Sequence, residues 1–234
     1  DVIDTIEKTK SIQPDRLAFY SYAHVPWIKG NGQRGFNDED IPKDDKKRML
    51  YETGKKLLFE NGYHEIGMDH FALKTDTLYD AFENGTLHRN FMGYSSSKTK
   101  LMIGLGVSSI SDSWYSFAQN VKSLEEYYQL LERNKLPVYR GHLLTGEDLI
   151  IRKHILNLMC QFETSWKNQE AYFEEIPEVL NQLKEMENDG LLIIKENSIA
   201  VTEKGKPYVR NICMAFDLRL KRKAPETELF SMTI

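Results

Sequence analysis

The sequence predicts an α/β fold followed, from residue 146, by a mostly α-helical, winged-helix-like unit. Three observations carry that prediction. A helical pattern over residues 1–13 passes at Pro14-Asp15 straight into a β-rich run over 16–26, the helix-then-strand unit of α/β proteins. A second β-rich run over 63–72 ends, like the first, in polar and ionisable residues, where α/β folds place function. At Thr145 the character changes to long helical periodicities around one short hairpin.

Each element follows from local chemistry. Val2, Ile3, Ile6 and Ile12 recur among charges at roughly helical spacing, with no methionine and no capping residue ahead of them, so the chain is expected to begin inside a helix. The run over 16–26 is buried in type and stopped by Pro26. Residues 27–42, rich in Gly, Asn and Asp, are expected to form an exposed loop. Residues 44–61 form an amphipathic helix with Met49, Leu50, Leu57 and Leu58 inward and Gly62 as its stop. A single strand over 63–72 and a short helix over 76–84 come next, then an irregular segment over 87–94 that is dense in functional side chains. The apolar run over 101–111 contains a G-x-G-x-x-S order, a poor dinucleotide fingerprint because no third glycine opens a helix. Thr145 and Asp148 form a capping box for a helix over 149–162. A helix over 177–188, a hairpin of 191–194 with 198–201 around Glu196-Asn197, and a last helix over 206–222 complete the winged-helix-like pattern.

With 41% hydrophobic and 28% charged residues, the 234-residue chain has the apolar content for one large domain or two smaller ones. No stretch approaches the roughly 18 apolar residues of a membrane helix, and the first residues lack the order of a signal peptide, so a cytoplasmic protein without membrane partners is expected. Cys160 and Cys213, among apolar neighbours, are expected to be buried reduced thiols and are too few for a disulfide framework or a four-cysteine metal site. The formal charge of −4, with acids and bases interspersed, gives no broad positive field for nucleic acid.

Six strings in order, Tyr22-Ala23-His24-Val25-Pro26, GYHEIGMDHFA from Gly62, LHRNFMGY from Leu87, GLGVSSIS from Gly104, Gln119-Asn120 and RNICM from Arg210, resemble oxygen-independent coproporphyrinogen III oxidase, a radical SAM family of haem biosynthesis. The resemblance covers essentially the whole chain. It implies a partial (β/α) barrel, its C-terminal part at residues 1–145, followed by a helical C-terminal domain at 146–234. It also implies reductive cleavage of S-adenosyl-L-methionine and oxidative decarboxylation of two propionates of coproporphyrinogen III to vinyl groups, with an electron donor or acceptor and a monomeric state. The family's C-x-x-x-C-x-x-C motif for a [4Fe-4S] cluster is absent, so the cluster ligands are expected in an N-terminal part and none in this chain. The chain alone is accordingly expected to be inactive.

The resemblance also assigns residues. Ala23 and Ile110 match positions that contact S-adenosylmethionine through backbone and apolar surface, although alone each is an ordinary core residue type. Tyr22 and His24, as i and i+2 of a strand, share a face and could jointly line the pocket. Arg89 and Arg140 are candidates for propionate, because a guanidinium fork pairs bidentately with carboxylate; an ion pair is the competing reading. His24, Asp69, His70 and His88 lie at or beside strand ends, where hydrogen-bonded structural roles compete with functional ones. Met92 departs from a polar amide found in some members, whose hydrogen bonds a thioether cannot replace. Two alternatives remain open. One is a haem-binding or haem-transfer chaperone of the same superfamily. The other is a winged-helix nucleic-acid module, disfavoured because residues 146–234 hold 12 lysines and arginines against 15 aspartates and glutamates.

Overall fold

The structure, a computed structural model, describes residues 2–25, 35 and 37–223. Most of the loop expected over 27–42, and Pro26 with it, lies outside the described residues. The chain divides into two compact units: residues up to Asn84 together with those from Asp217, and Gly85–Phe216.

In the first unit, α1 (Val2–Ile12), β1 (Arg16–Ala18), α2 (Asp44–Glu60), β2 (Tyr63–Gly67), β3 (His70–Leu73) and α3 (Thr77–Glu83) follow in order, and α8 (Leu218–Lys223) returns to it from the C-terminal side. Ile6, Leu58, Tyr63 and Phe71 form the core, with Leu17, Phe19 and Leu57 packed against it. The sheet order is β1-β3-β2, with both pairings antiparallel. This corrects both expected strands. The run over 63–72 is a hairpin that turns at Met68 and Asp69, two non-glycine residues at φ 30° and 66°. The run over 16–26 is a strand for three residues only, because its partner β3 begins at His70, opposite Ala18. One further bond, from the Phe19 N–H to the Asp69 carbonyl at 2.7 Å, ends the pairing. Phe19 stacks on Tyr51 of α2 at 5.6 Å, and Gly54, one turn on, lets the helix pass: a Cβ there would lie 2.2 Å from the Phe19 ring. Asp76 caps α3 through the Leu78 N–H and accepts from Nη2 and Nε of Arg16 at 2.8 and 3.1 Å.

The second unit begins with a hairpin, β4 (His88–Asn90) with β5 (Gly93–Ser95), where an irregular segment was expected. The four strands β6 (Leu101–Met102), β7 (Ile110–Ser113), β8 (Ser116–Asn120) and β9 (Val138–Leu143) form an antiparallel meander, with α4 (Leu124–Glu132) inserted before β9. Then come α5 (Gly146–Gln161), β10 (Glu163–Ser165), α6 (Ile176–Asn188), β11 (Leu192–Lys195), β12 (Ser198–Val201) and α7 (Val209–Met214), with a second sheet ordered β10-β12-β11. The capping box of Thr145 and Asp148 forms as expected, and buried Asp148 also receives His142 Nε2 at 3.2 Å. The single helix expected over 206–222 is three pieces. A 3-10 segment (Glu203–Tyr208) holds Pro207, which cannot donate to an α-helical ladder, and the chain bends again at fully buried Phe216 before α8. Gly205 meets the Leu191 carbonyl so closely that a Cβ would lie 1.8 Å from its oxygen.

Two polar clusters fasten this unit. His154 of α5, 1% exposed, lies 2.7 Å from the Ala171 carbonyl through Nε2 and 2.8 Å from the Thr164 hydroxyl through Nδ1. A carbonyl only accepts, so the proton sits on Nε2, and Nδ1 accepts from Thr164. Phe173 and Phe216 pack on the ring at 5.7 and 5.5 Å. Arg152, two residues earlier on α5, reaches buried Asp112 on β7 with one nitrogen at 2.9 and 3.3 Å from its two oxygens. Its other terminal nitrogen donates to the carbonyls of Ser113 and Trp114, and the guanidinium lies 4.9 Å from the Trp114 ring and 5.1 Å from that of Phe117. The boundary expected after residue 145 falls inside this unit, and the Arg152–Asp112 pair spans it.

Removing one partner of a buried pair strands the other's charge. Arg152→Met is therefore expected to lower the unfolding free energy by about 3–5 kcal/mol in urea titration, whereas a loss below about 1 kcal/mol would mark the pair as surface-like.

Candidate functional site

The richest arrangement lies at one end of the four-stranded sheet. Antiparallel register sets Ile110 opposite Gln119 and Gln119 opposite Arg140, so the three form one cross-strand row on a single face of β7, β8 and β9. The Arg140 Nε donates to the Gln119 Oε1 at 2.9 Å, and the Gln119 amide donates to the Ser108 carbonyl at 3.2 Å. Arg140 is exposed and Ile110 half-buried.

The turn leading into β7, residues 103–109, folds back on the same end. The Gly104 N–H donates to the Ser111 hydroxyl at 3.0 Å, the Gly106 N–H to the Tyr127 hydroxyl at 3.2 Å, and the Ser108 N–H to the Val121 carbonyl at 2.8 Å. Gly104 passes so close to Ile110 that a Cβ would lie 2.6 Å from the Ile110 carbonyl oxygen. Ile103 and Leu105 stay exposed, Leu105 at 85%. Main chain held this rigidly beside exposed aliphatic side chains suits the edge and face of a flat heteroaromatic ring.

Tyr22, Ala23 and His24 lie in the first unit, in the stretch after β1 that carries no regular structure, so the expected strand face does not join them. The Tyr22 and His24 rings are nonetheless neighbours at 6.3 Å, with Tyr22 52% exposed. In the same unit, His70 Nδ1 donates to the Met68 carbonyl at 2.8 Å. The Tyr51 phenol is pushed far above its ordinary range by burial and by Asp69, whose carboxylate it meets.

Arg89 stands on β4, outside the row of Arg140. Its guanidinium lies 4.6 Å from the ring centroid of Tyr94 opposite, and its buried Nη1 has no hydrogen-bond acceptor among the described residues. Burial pushes the neighbouring thiols up, Cys160 to about 11 and Cys213 to about 12, against the opposing pull of Arg89. Both cysteines are free, buried and, in physical terms, poor nucleophiles and poor metal ligands. Among the described residues no group of three or more His, Cys, Asp or Glu side chains could hold a metal ion. No described helix is long and apolar enough to cross a membrane. His88, buried beside Arg89, has its pKa lowered by burial first, then by Lys98 and Arg152, against Asp112.

The sequence singled out Ile110 and Arg140 as candidates and held Gln119 only within a matching string, and register sets the three in one row. Ser111 lay within another matching string with no role assigned and Tyr127 in none, since their roles depend on a turn conformation that no local pattern encodes. The exposed aliphatics Ile103 and Leu105 were visible only as an apolar run.

In fold the chain is similar to a radical SAM enzyme. It matches the solved structure of coproporphyrinogen III oxidase from Escherichia coli, described as a radical SAM enzyme, with a TM-score of 0.85 and 37% identity over 93% of this chain and 51% of that one. Among curated proteins it is homologous to the oxygen-independent coproporphyrinogen III oxidases, at 38% identity with that of Escherichia coli, over 94% of this chain and 49% of the relative. The Synechocystis oxidase is 35% identical over 99% of this chain and 51% of its own length. The anaerobic coproporphyrinogen III oxidase 1 of Cereibacter sphaeroides is 32% identical over 91% of this chain and 48% of its own. The chain thus spans about half the length of the curated relatives it matches. No protein-family profile matches it.

His88 and His154 both have lowered pKa values, burial being the first cause. Below the unfolded value of 6.5 the unfolded chain binds protons that the folded chain refuses, so the stability these groups contribute is present above that pH and lost as pH falls. Urea titrations at about pH 7 and pH 5 are expected to show a fall in stability that is shallower in His154→Gln than in the parent; equal falls would show that His154 is not part of the linkage.

Proposed function

We propose that this chain supplies the C-terminal part of an oxygen-independent coproporphyrinogen III oxidase. Within that part the resemblance assigns residues 1–145 to a partial (β/α) radical SAM barrel and residues 146–234 to a winged-helix-like helical domain, a division that runs through the compact unit Gly85–Phe216. The observation that carries the reading is homology over 94% of the chain at 38% identity. The helix, strand, helix and hairpin order of α5, β10, α6, β11 and β12 supports the winged-helix-like description. The reaction is oxidative decarboxylation of two propionates of coproporphyrinogen III to vinyl groups, giving protoporphyrinogen IX, in a monomer served by an electron donor or acceptor.

The residues present do not fit a [4Fe-4S] cluster, since Cys160 and Cys213 sit in separate helices with thiols held protonated by burial. The cluster ligands belong to sequence outside this chain. In the second unit the fixed backbone of 104–109 and the side chain of Ile110 would suit S-adenosyl-L-methionine, and the resemblance assigns Ala23 of the first unit to the same cofactor. The chemistry this cofactor supplies when bound is one-electron hydrogen abstraction. Ile110 would pack on the adenosyl face, and exposed Ile103 and Leu105 would exclude water beside it. Tyr22 and His24, neighbouring rings of the first unit, are assigned to the substrate by the resemblance alone. Arg140, exposed and oriented by Gln119, takes a propionate carboxylate through the nitrogens that Gln119 leaves unused. Arg89 faces Tyr94 and the buried thiols, and we assign it to holding the β4–β5 hairpin, whose tip exposes Phe91 and Met92.

Two experiments test this reading. In the complete enzyme carrying this chain, Arg140→Met is expected to raise the KM for coproporphyrinogen III about tenfold to a hundredfold with cofactor cleavage intact, and Arg89→Met to lower stability without that KM change. Unchanged KM in Arg140→Met would remove it from the substrate site. This chain alone, reconstituted anaerobically with iron and sulfide, is expected to form no stoichiometric cluster and release no deoxyadenosine; both appearing together would overturn the division of labour.

A further inference from the structure

We propose that Asn120 is a positioning residue that sets the 104–109 turn in the shape needed to bind the adenosyl group. The inference rests on the reading of Ile110 and its turn as a cofactor contact. Asn120 closes β8 at a register shift against β9 and is 8% exposed. Its side-chain amide donates to two carbonyls of the turn, Gly106 at 2.9 Å and Gly104 at 3.3 Å, and its own N–H donates to the Ser109 carbonyl at 2.9 Å. One NH2 group thus spans two carbonyls two residues apart, and one residue grips the turn at its start, middle and end. The N–H groups of the same two residues, Gly104 and Gly106, donate to Ser111 and Tyr127, so the Asn120 amide satisfies on the acceptor side two residues already held on the donor side.

The chemistry is specific to asparagine. An aspartate of the same shape has no donor and would set a negative charge against two carbonyl oxygens; a glutamine carries an extra methylene in a space already closed by the bulge. Gly104 lies against the Ile110 backbone, so a displaced turn also displaces the start of β7. Asn120 therefore acts on the cofactor only through the turn and Ile110.

The test uses the complete enzyme carrying this chain, with Asn120→Asp, Asn120→Ala and, as a marker of the cofactor contact, Ile110→Ala. Both Asn120 variants are expected to raise the KM for S-adenosylmethionine about tenfold while kcat stays within about twofold, and to speed backbone hydrogen exchange in residues 104–109 and not in α5. Should the alanine variant not fold, the isosteric aspartate alone decides. If exchange and KM are unchanged in the Asn120 variants while Ile110→Ala raises KM, the positioning role is overturned and the cofactor reading stands. If the turn loosens and KM is unchanged in every variant, Ile110 included, the cofactor reading fails and the proposal with it.

Discussion

The guanidinium of Arg152 is where the second unit is joined. A helix presented to a meander by apolar packing alone could slide along its strands, but Arg152 of α5 is fixed by direction as well as by attraction. One nitrogen faces the two oxygens of Asp112, the other faces two consecutive carbonyls at the β7–β8 turn, and the plane of the group lies against Trp114 and Phe117. Five donors in a rigid fork leave little freedom for a helix that must satisfy them all, which is why Arg and not Lys suits the position. With α5 fixed, its other polar residues find their partners: Asp148 receives His142 and Thr145 at the start, and His154 receives Thr164 of β10 two residues after Arg152.

From that joint the candidate site inherits its rigidity. β7 carries Asp112 on one residue and Ile110 two residues before it, so the strand that α5 grips is the strand that presents Ile110. Gln119 and Arg140 then follow from register alone. A main-chain turn with its N–H and carbonyl groups satisfied by side chains loses little on meeting a ligand, since its ordering is complete before binding. The exposed aliphatic residues beside it would be a liability on an ordinary surface and acquire a purpose next to a ligand with an apolar face.

Much of this was legible in the chain wherever a side chain signals its own backbone. Thr145 with Asp148 and the paired runs around Glu196-Asn197 announce a helix start and a hairpin through local hydrogen-bonding chemistry. The turn at Met68-Asp69 was hidden because Met disfavours positive φ and no glycine marks it, and the turn at Phe91-Met92 because two large apolar residues carry no turn signal. The missing length of the first strand has a similar cause: how far a strand extends depends on where its partner turns back. In the site, the identities of Ile110, Gln119 and Arg140 were readable, whereas their common row depends on two registers set across 9 and 21 residues of sequence.

The close-approach glycines divide into two kinds, with different consequences for how such a sequence can drift. At Gly104 and Gly205 an added methyl group would strike backbone atoms, of Ile110 and Leu191, which cannot swing aside. Variation there is closed unless whole strands move. At Gly54 the obstacle is the ring of Phe19, a side chain that another residue could replace. Residues 19 and 54 are therefore free to change together, a larger residue on the helix matched by a smaller one on the segment beneath it, and a lineage would record that exchange as a covarying pair where the other two positions record only glycine.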